Sequence, residues 1–380
     1  MKRIFTLLMF LGLCASVSAQ APTTTSADQD AKIEELSARI NKLEKRSSRW
    51  DNIAKHLPKI SGYIQLRYDW DDNHSDFSIK RARVNFQGDI LKSPFDIDYR
   101  LQLEFAGKPK IVDAYIRIRP YYEVNMQVGQ FKIPMTLLNT AFKPTAYEFV
   151  DTPMGLSKLV GGKDLSGVSG SNRDLGAKLY GGFIREGGFS IINYDLAVMN
   201  GSGINCKDHN KSKDVIGRLT IQPLKALKVS GSFYIGETAM KNKEGETMGK
   251  HFTRDRYSVG MSYEDHGWVV RGEWIGGKTD MGTAVDQMKK VESSSWYASA
   301  AYNFSKQWLV GLRYDTFVQD TDYTSDSRQT NYTASLAWTP GKHFRTMVNY
   351  TYLDYRKSSD FFKGFKTGNH EVSVMISAMF

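Results

Sequence analysis

Cysteine is almost missing from this chain, which holds only Cys14 and Cys206. Cys14 falls in an N-terminal apolar segment expected to be removed, so Cys206 stands alone and no internal disulfide can brace the fold. Long apolar runs are missing as well. After Leu13 nothing approaches the roughly 18 consecutive apolar residues of a membrane helix. That excludes a helical membrane protein and says nothing against a barrel, whose strands dilute their apolar half with polar residues. Metal and catalytic signatures are also lacking. His56, His74, His209, His251, His266, His343 and His370 show no HExxH or close-paired spacing. Gly167-Val168-Ser169-Gly170 lacks the spacing of a nucleophile elbow. Gly272 to Thr279 spells a P-loop, but a P-loop needs a buried parallel strand, a following helix and a metal-binding acid on a second strand. It is read instead as a strand end entering a Gly-rich loop. No metal, cofactor or enzymatic reaction is expected.

What the chain does have begins with a basic balance, 51 Lys and Arg against 41 Asp and Glu, or +10. Residues 1–19 carry Lys2 and Arg3, an apolar core from Ile4 to Cys14, and the small-residue site Val17-Ser18-Ala19. They read as a cleaved secretory signal, and losing Lys2 and Arg3 takes the charge from +10 to +8. On an exported protein that excess suggests anionic solutes or lipid head groups rather than nucleic acid. Residues 20–31 read as a polar linker. Within residues 32–50, Ile33, Leu36, Ile40 and Leu43 set an a/d seam for a short coiled-coil helix. Under two heptads cannot associate alone, so this is either a helper to a larger oligomer or a solvated helix at the mouth of the main domain.

From Ile60 the hydrophobic period becomes two and stays so to Phe380. Arg81, Arg83, Asn85 and Gln87 alternate with Ala82, Val84 and Phe86; Ile97, Tyr99, Leu101 and Leu103 alternate with Asp98, Arg100, Gln102 and Glu104. Each strand thus presents one apolar and one polar face. Sixteen candidate strands fit, near 60–70, 77–88, 95–105, 111–119, 123–131, 174–182, 188–199, 213–221, 226–237, 252–263, 267–276, 293–304, 307–317, 328–338, 343–355 and 370–380. Short turns such as Asp89–Pro94 and Glu264–His266 alternate with long hydrophilic loops such as Thr238–His251 and Gly277–Glu292. A soluble sandwich has no reason to sort its loops this way. An all-β, 16-stranded antiparallel transmembrane barrel over 60–380 does. Its proposed outer faces, such as Trp296, Ala298, Ala300, Tyr302 and Trp308, Val310, Leu312, Tyr314, are apolar centrally and aromatic toward the ends.

If apolar faces meet lipid, the lumen receives Arg67, Arg81, Arg83, Arg100, Arg117 and Arg119, followed by Lys132. Guanidiniums suit phosphate and carboxylate, and a low-dielectric wall focuses their field. Asp69, Asp96, Asp98, Glu104 and Asp113 share that wall, so the charges form either an anion track or pairs that only keep the wall straight. The connection 132–173 carries Pro134, Pro144, Pro153, several apolar residues, and Lys143, Lys158 and Lys163. A loop so long is functional or disordered, and its aromatics argue against disorder. It is expected to fold inward and narrow the channel, the alternative being an extracellular cap.

Gly129-Gln130-Phe131-Lys132-Ile133-Pro134, the strand Lys80-Arg81-Ala82-Arg83 and the terminal Phe380 resemble the phosphate-selective porin O and P family of Gram-negative outer membranes. The resemblance implies a trimeric porin whose basic pore residues, by motif match Arg81, Arg83 and Lys132, guide anions, phosphate among them. Separately, a final strand ending in Phe380 resembles the signal read by the barrel-assembly machinery that inserts outer-membrane barrels. After Pro134 the chain departs from the family's Phe- and Gly-rich continuation, reading Met135-Thr136-Leu137-Leu138. Two rivals remain: an outer-membrane lipase or protease barrel, whose site would leave no local motif, and a plugged structural or recognition barrel.

Overall fold

The computed structural model describes residues 31–32, 34–42, 44, 57–168, 172–241, 247–282, 284–363, 365 and 368–380. Residues 1–57 and 58–380 form separate units. In the first, the described residues between 31 and 44 are helical, Arg39 pairs with Glu35 at 3.2 Å, and Leu36 and Ile40 are exposed. The signal segment, most of the linker, and Ile33 and Leu43 of the seam lie outside the described residues.

In the second unit the alternating segments form β1 (Lys59–Asp71), β2 (Ser75–Leu91), β3 (Asp96–Glu104), β4 (Lys110–Arg119), β5 (Asn125–Lys132), β6 (Arg173–Glu186), β7 (Phe189–Met199) and β8 (Asp214–Leu224). They continue as β9 (Leu227–Ile235), β10 (Glu237–Lys241), β11 (Thr247–Asp265), β12 (Trp268–Met281), β13 (Lys289–Asn303), β14 (Trp308–Val318), β15 (Arg328–Gly341), β16 (Phe344–Tyr355) and β17 (His370–Met379). Each pairs antiparallel with its neighbour, and β17 pairs with β1, so the sheet closes. Since β9 and β10 both pair with β11, two segments broken at Gly236 make one stave and the barrel has sixteen. Closure satisfies every ladder without an open edge, which a strand protein in lipid requires.

The expected outer residues are exposed: Trp296, Leu312, Val259 and Ile376 point away from the lumen. Two expectations need correction. The loops read at Thr238–His251 and Gly277–Glu292 are largely ladder, because β11, β12 and β13 continue through them. There both strand faces are polar, as in the Lys278–Glu292 pair at 2.8 Å, so no alternation marked the extension. The P-loop look-alike 272–279 lies wholly inside β12 and pairs with β11 and β13; it is neither a strand end nor a loop.

The seam at β1 and β17 depends on one close approach. Gly62 N–H donates to the Phe380 carbonyl at 2.9 Å, and Phe380 N–H returns the bond at 3.0 Å. A Cβ at Gly62 would lie 2.4 Å from the Phe380 ring and 2.5 Å from the Arg83 carbonyl. Gly62→Val should therefore cost about 1–3 kcal/mol in overpacking. The expected result is a smaller folded, heat-modifiable fraction on unheated SDS gels than for Gly62→Ala, itself below wild type.

A barrel interior is ordinarily filled by water, but this one has an apolar layer. After β5 the chain makes two short helices, α1 (Leu137–Ala141) and α2 (Met154–Leu159). Ile133, Met135, Leu138, Phe149, Leu156 and Leu159 bury against Ile216, Tyr234, Ile275, Tyr297 and Phe317 of the inner wall. At about 1.5–3 kcal/mol per buried side chain, this contact is the main source of order for a segment with no ladder of its own.

Candidate solute pathway

Strand alternation aims one charged residue in two at the lumen, and the inward segment 133–168 then divides those charges into two groups. On the wall of β11 to β16 they hold the segment. Arg256 donates to the Leu159 carbonyl at 2.7 Å, Arg313 to the Asp151 carbonyl at 2.6 Å and Arg345 to the Thr145 carbonyl at 3.2 Å. Glu273 accepts from Leu137 N–H at 2.6 Å, Asp315 accepts from Met154 N–H at 3.1 Å, and Arg271 pairs with Glu148. Arg254 and Arg256 both grip Asp164, at 3.0 and 2.9 Å. These groups are spent on the segment.

On β1 to β6 the charges border open space. Arg67 is nearly covered: it meets Asp69 at 2.6 Å, Asp151 at 2.8 Å and Ser373 at 3.0 Å, and so fixes the segment from the opposite side. Burial raises the Asp151 carboxyl, but Arg67 and Lys80 outweigh it and hold the group well below the usual carboxylate range. Arg83 pairs with Glu104 at 2.6 Å, Arg100 with Asp113 at 3.6 Å, and Arg117 and Arg119 both with Asp98 at 2.7 Å. The pairing reading thus describes these residues. Arg81 and Lys132 have no carboxylate within 4 Å among the described residues. Arg81 donates to the Gln65 side chain at 2.8 Å; Lys132 Nζ donates to the carbonyls of Asn139 at 3.0 Å and Phe142 at 2.6 Å. Lys143, Lys158 and Lys163 project from the segment into the open space and have no ion-pair partner among the described residues. Burial and the neighbouring Lys163 lower the Lys158 ammonium below its ordinary value.

Two chambers result. The outer one, about 680 Å³, is lined by Arg67, Lys80, Arg81, Lys158 and Lys163 among others; the inner one, about 630 Å³, by Arg100, Lys143, Lys178 and Arg218 among others. Basic side chains outnumber carboxylates in both. The chambers have a common wall in Arg83, Lys132, Phe142, Pro144 and Arg173.

Several of these residues escaped the sequence. Lys80 points inward because a β-bulge sets Gln65 opposite Arg81 and Leu66 opposite Ile79, leaving Lys80 as the extra residue. The signal was present: strict alternation would put Ile79 on the charged face. Lys178 and Arg218 lie on β6 and β8 and obey the same alternation, whereas Arg173, five residues before Lys178 on β6, lines the lumen out of that phase. The Gly129 motif proves to be an anchor. Gly129 has φ +127°, and a Cβ there would lie 2.2 Å from the Ala114 carbonyl; Gln130 ties β5 to the carbonyls of Ile111 and Val112; Lys132 holds the end of α1.

Comparison with known proteins agrees with this geometry. A family model described as "Putative beta-barrel porin-2, OmpL-like" matches residues 191–380, and one described as "Phosphate-selective porin O and P" matches residues 62–147. The chain belongs to the β-barrel porins. The resemblance read from residues 80–83 and 129–134 is borne out over the strands that carry it. The porin also shares its fold with the anion-selective porin from Comamonas acidovorans, at 15% identity and TM-score 0.62 over 85% of this chain and 99% of that one. The outer membrane channel DcaP of Acinetobacter baumannii gives 12% identity and TM-score 0.62, over 85% and 97%. OmpT of Vibrio cholerae, in its trimer form, gives 10% and 0.61, over 85% and 99%. No curated protein matches this chain in sequence. Family and fold place the porin in a Gram-negative outer membrane.

Proposed function

We propose that this porin is a passive diffusion channel that prefers small anions, phosphate among them, with segment 132–173 as its constriction. One observation carries the reading: both chambers share Lys132, which has no carboxylate within 4 Å among the described residues. A solute crossing from one to the other thus meets a cation that is not neutralised locally as Arg83 and Arg173 are by Glu104 and Asp113. Flux follows the concentration gradient. The cations raise local anion concentration, while Phe142 and Pro144 limit size. Lys143, Lys158 and Lys163 extend the same field along the path.

The remaining parts fit an exported oligomer. Residues 1–19 act as the cleaved signal, the helix in 32–50 assists assembly, Phe380 is the contact for the barrel-assembly machinery, and the working form is a homotrimer, the state described for OmpT of Vibrio cholerae. A hydrolase would need a nucleophile beside a histidine. Among the described residues the ion-pair partners of His74, His251 and His266 are the carboxylates of Asp71, Glu237 and Asp265.

The test is reversal potential across a planar bilayer in a salt gradient, followed by chloride current with added phosphate. The expected result is a potential on the anion side and a chloride current reduced by phosphate. A cation-side potential would refute the reading, and absence of conductance would favour the plugged barrel.

A further inference from the structure

The inner chamber is built for more than charge. Tyr63, Tyr115, Tyr180 and Phe142 line it, half-buried, on β1, β4, β6 and the inward segment. The other inward aromatics, Tyr234, Tyr297 and Phe317, lie buried under that segment. Half-buried rings along the lumen offer a solute flat apolar surface beside the cations. Cations stand over these rings. Lys178 Nζ is 4.6 Å from the Tyr180 centroid, Arg117 lies 5.6 Å from Tyr115, and Phe142 is flanked by Lys132 at 5.7 Å and Arg81 at 6.0 Å. Each of these distances is within cation–π range, which fixes the ring and the charge next to each other.

From this juxtaposition we infer that the inner chamber selects aromatic carboxylates, planar rings bearing one or two carboxyl groups, over inorganic anions and short aliphatic acids. The inference rests on the anion-channel reading and names its substrate class. The carboxylate meets Lys132 or Lys143, which have no ion-pair partner among the described residues. The ring lies on Tyr115 or Tyr180, displacing water from apolar surface on both partners. A hydrated phosphate meets the same cations and gains nothing from the rings. Acetate offers the same carboxylate without the ring, so the comparison isolates the aromatic contribution.

The experiment uses the mature full-length porin in planar bilayers. Reversal potential in a potassium chloride gradient is measured first, then half-block of the chloride current by benzoate, acetate and phosphate. Benzoate is expected to half-block at a concentration at least tenfold below acetate and phosphate. The paired substitution Tyr115→Ser with Tyr180→Ser should bring benzoate to within about threefold of acetate. Equal block by benzoate and acetate in an anion-selective channel would overturn the inference and leave the anion reading standing. A cation-side potential would overturn both. A benzoate preference that survives the paired substitution would overturn the assignment to these rings.

Discussion

Replacing Lys132 by methionine is expected to lower the anion-to-cation permeability ratio on the order of tenfold. A unit charge about 4 Å from a passing ion is worth about 1 kcal/mol at the dielectric of bulk water and more in a confined lumen. The effect has opposite sign for an anion and a cation. The smaller figure therefore gives about 2 kcal/mol in their ratio, at about 1.4 kcal/mol per decade, less what salt screens. Lys132 is the position of choice because no carboxylate lies within 4 Å of it, whereas Arg83 and Arg100 are already neutralised locally by Glu104 and Asp113. The substitution has a second consequence. Nζ spends two of its three protons on the Asn139 and Phe142 carbonyls, so methionine also frees the end of α1 and should add current noise. Lys132→Arg separates the two roles: the charge stays and the two-carbonyl grip changes, so selectivity is kept while noise rises. Reversal potential and single-channel recording read the two effects independently. An unchanged reversal potential in Lys132→Met would mean that this cation is not on the ion path.

That distinction between free and neutralised charge was not legible in the sequence. Strand periodicity was, because each strand writes its two faces into neighbouring residues, and Trp296, Ala298 and Ala300 declare the lipid side unaided. Ion pairs are not local. Arg67 finds Asp151, and Arg256 finds Asp164, only because the segment after β5 crosses the lumen. Nothing near Arg254 or Arg271 in the chain distinguishes them from Arg81, yet the segment consumes the first two and leaves the third without a carboxylate. The inward direction of the segment could be argued from its aromatics, whereas the wall it would cover could not. Lys80 stands between these cases. Its bulge was readable from the broken alternation at Ile79, but its partnership with Asp151 at 3.2 Å was not.

The segment's hold on the wall is most exposed to a single change at Asp164. Its side chain is fully buried between Arg254 and Arg256, themselves 2% and 1% exposed, and it also accepts from the Ser166 N–H at 2.9 Å and hydroxyl at 2.7 Å. Asp164→Asn removes the charge that the two buried guanidiniums share, leaving Arg254 with only the more distant Asp214 at 3.9 Å among the described carboxylates and Arg256 with none within 4 Å. The loss is about 3–5 kcal/mol for a broken buried pair. The barrel ladder does not pass through Asp164, so the cost falls on docking, and the cheapest escape is for the stretch near residues 157–168 to leave the wall. The expected result is a normally heat-modifiable barrel in which trypsin cuts at Lys158 and Lys163, with larger and noisier conductance; wild type should resist cleavage there. Removing a guanidinium as well, in Asp164→Asn with Arg256→Met, should restore part of the protection, since deleting both partners leaves less unpaired charge than deleting one. Acid provides an independent check. Burial raises the Asp164 carboxyl, but Arg254 and Arg256 more than reverse this and hold it below its ordinary value. A depressed folded pKa contributes stability that is fully present above the unfolded value near 4 and lost as pH falls through the folded value. Wild-type protection should therefore be the same at pH 5 as at pH 7. Trypsin sensitivity appearing by pH 5 in wild type, or absent at pH 7 in Asp164→Asn, would show that the apolar layer alone holds the segment.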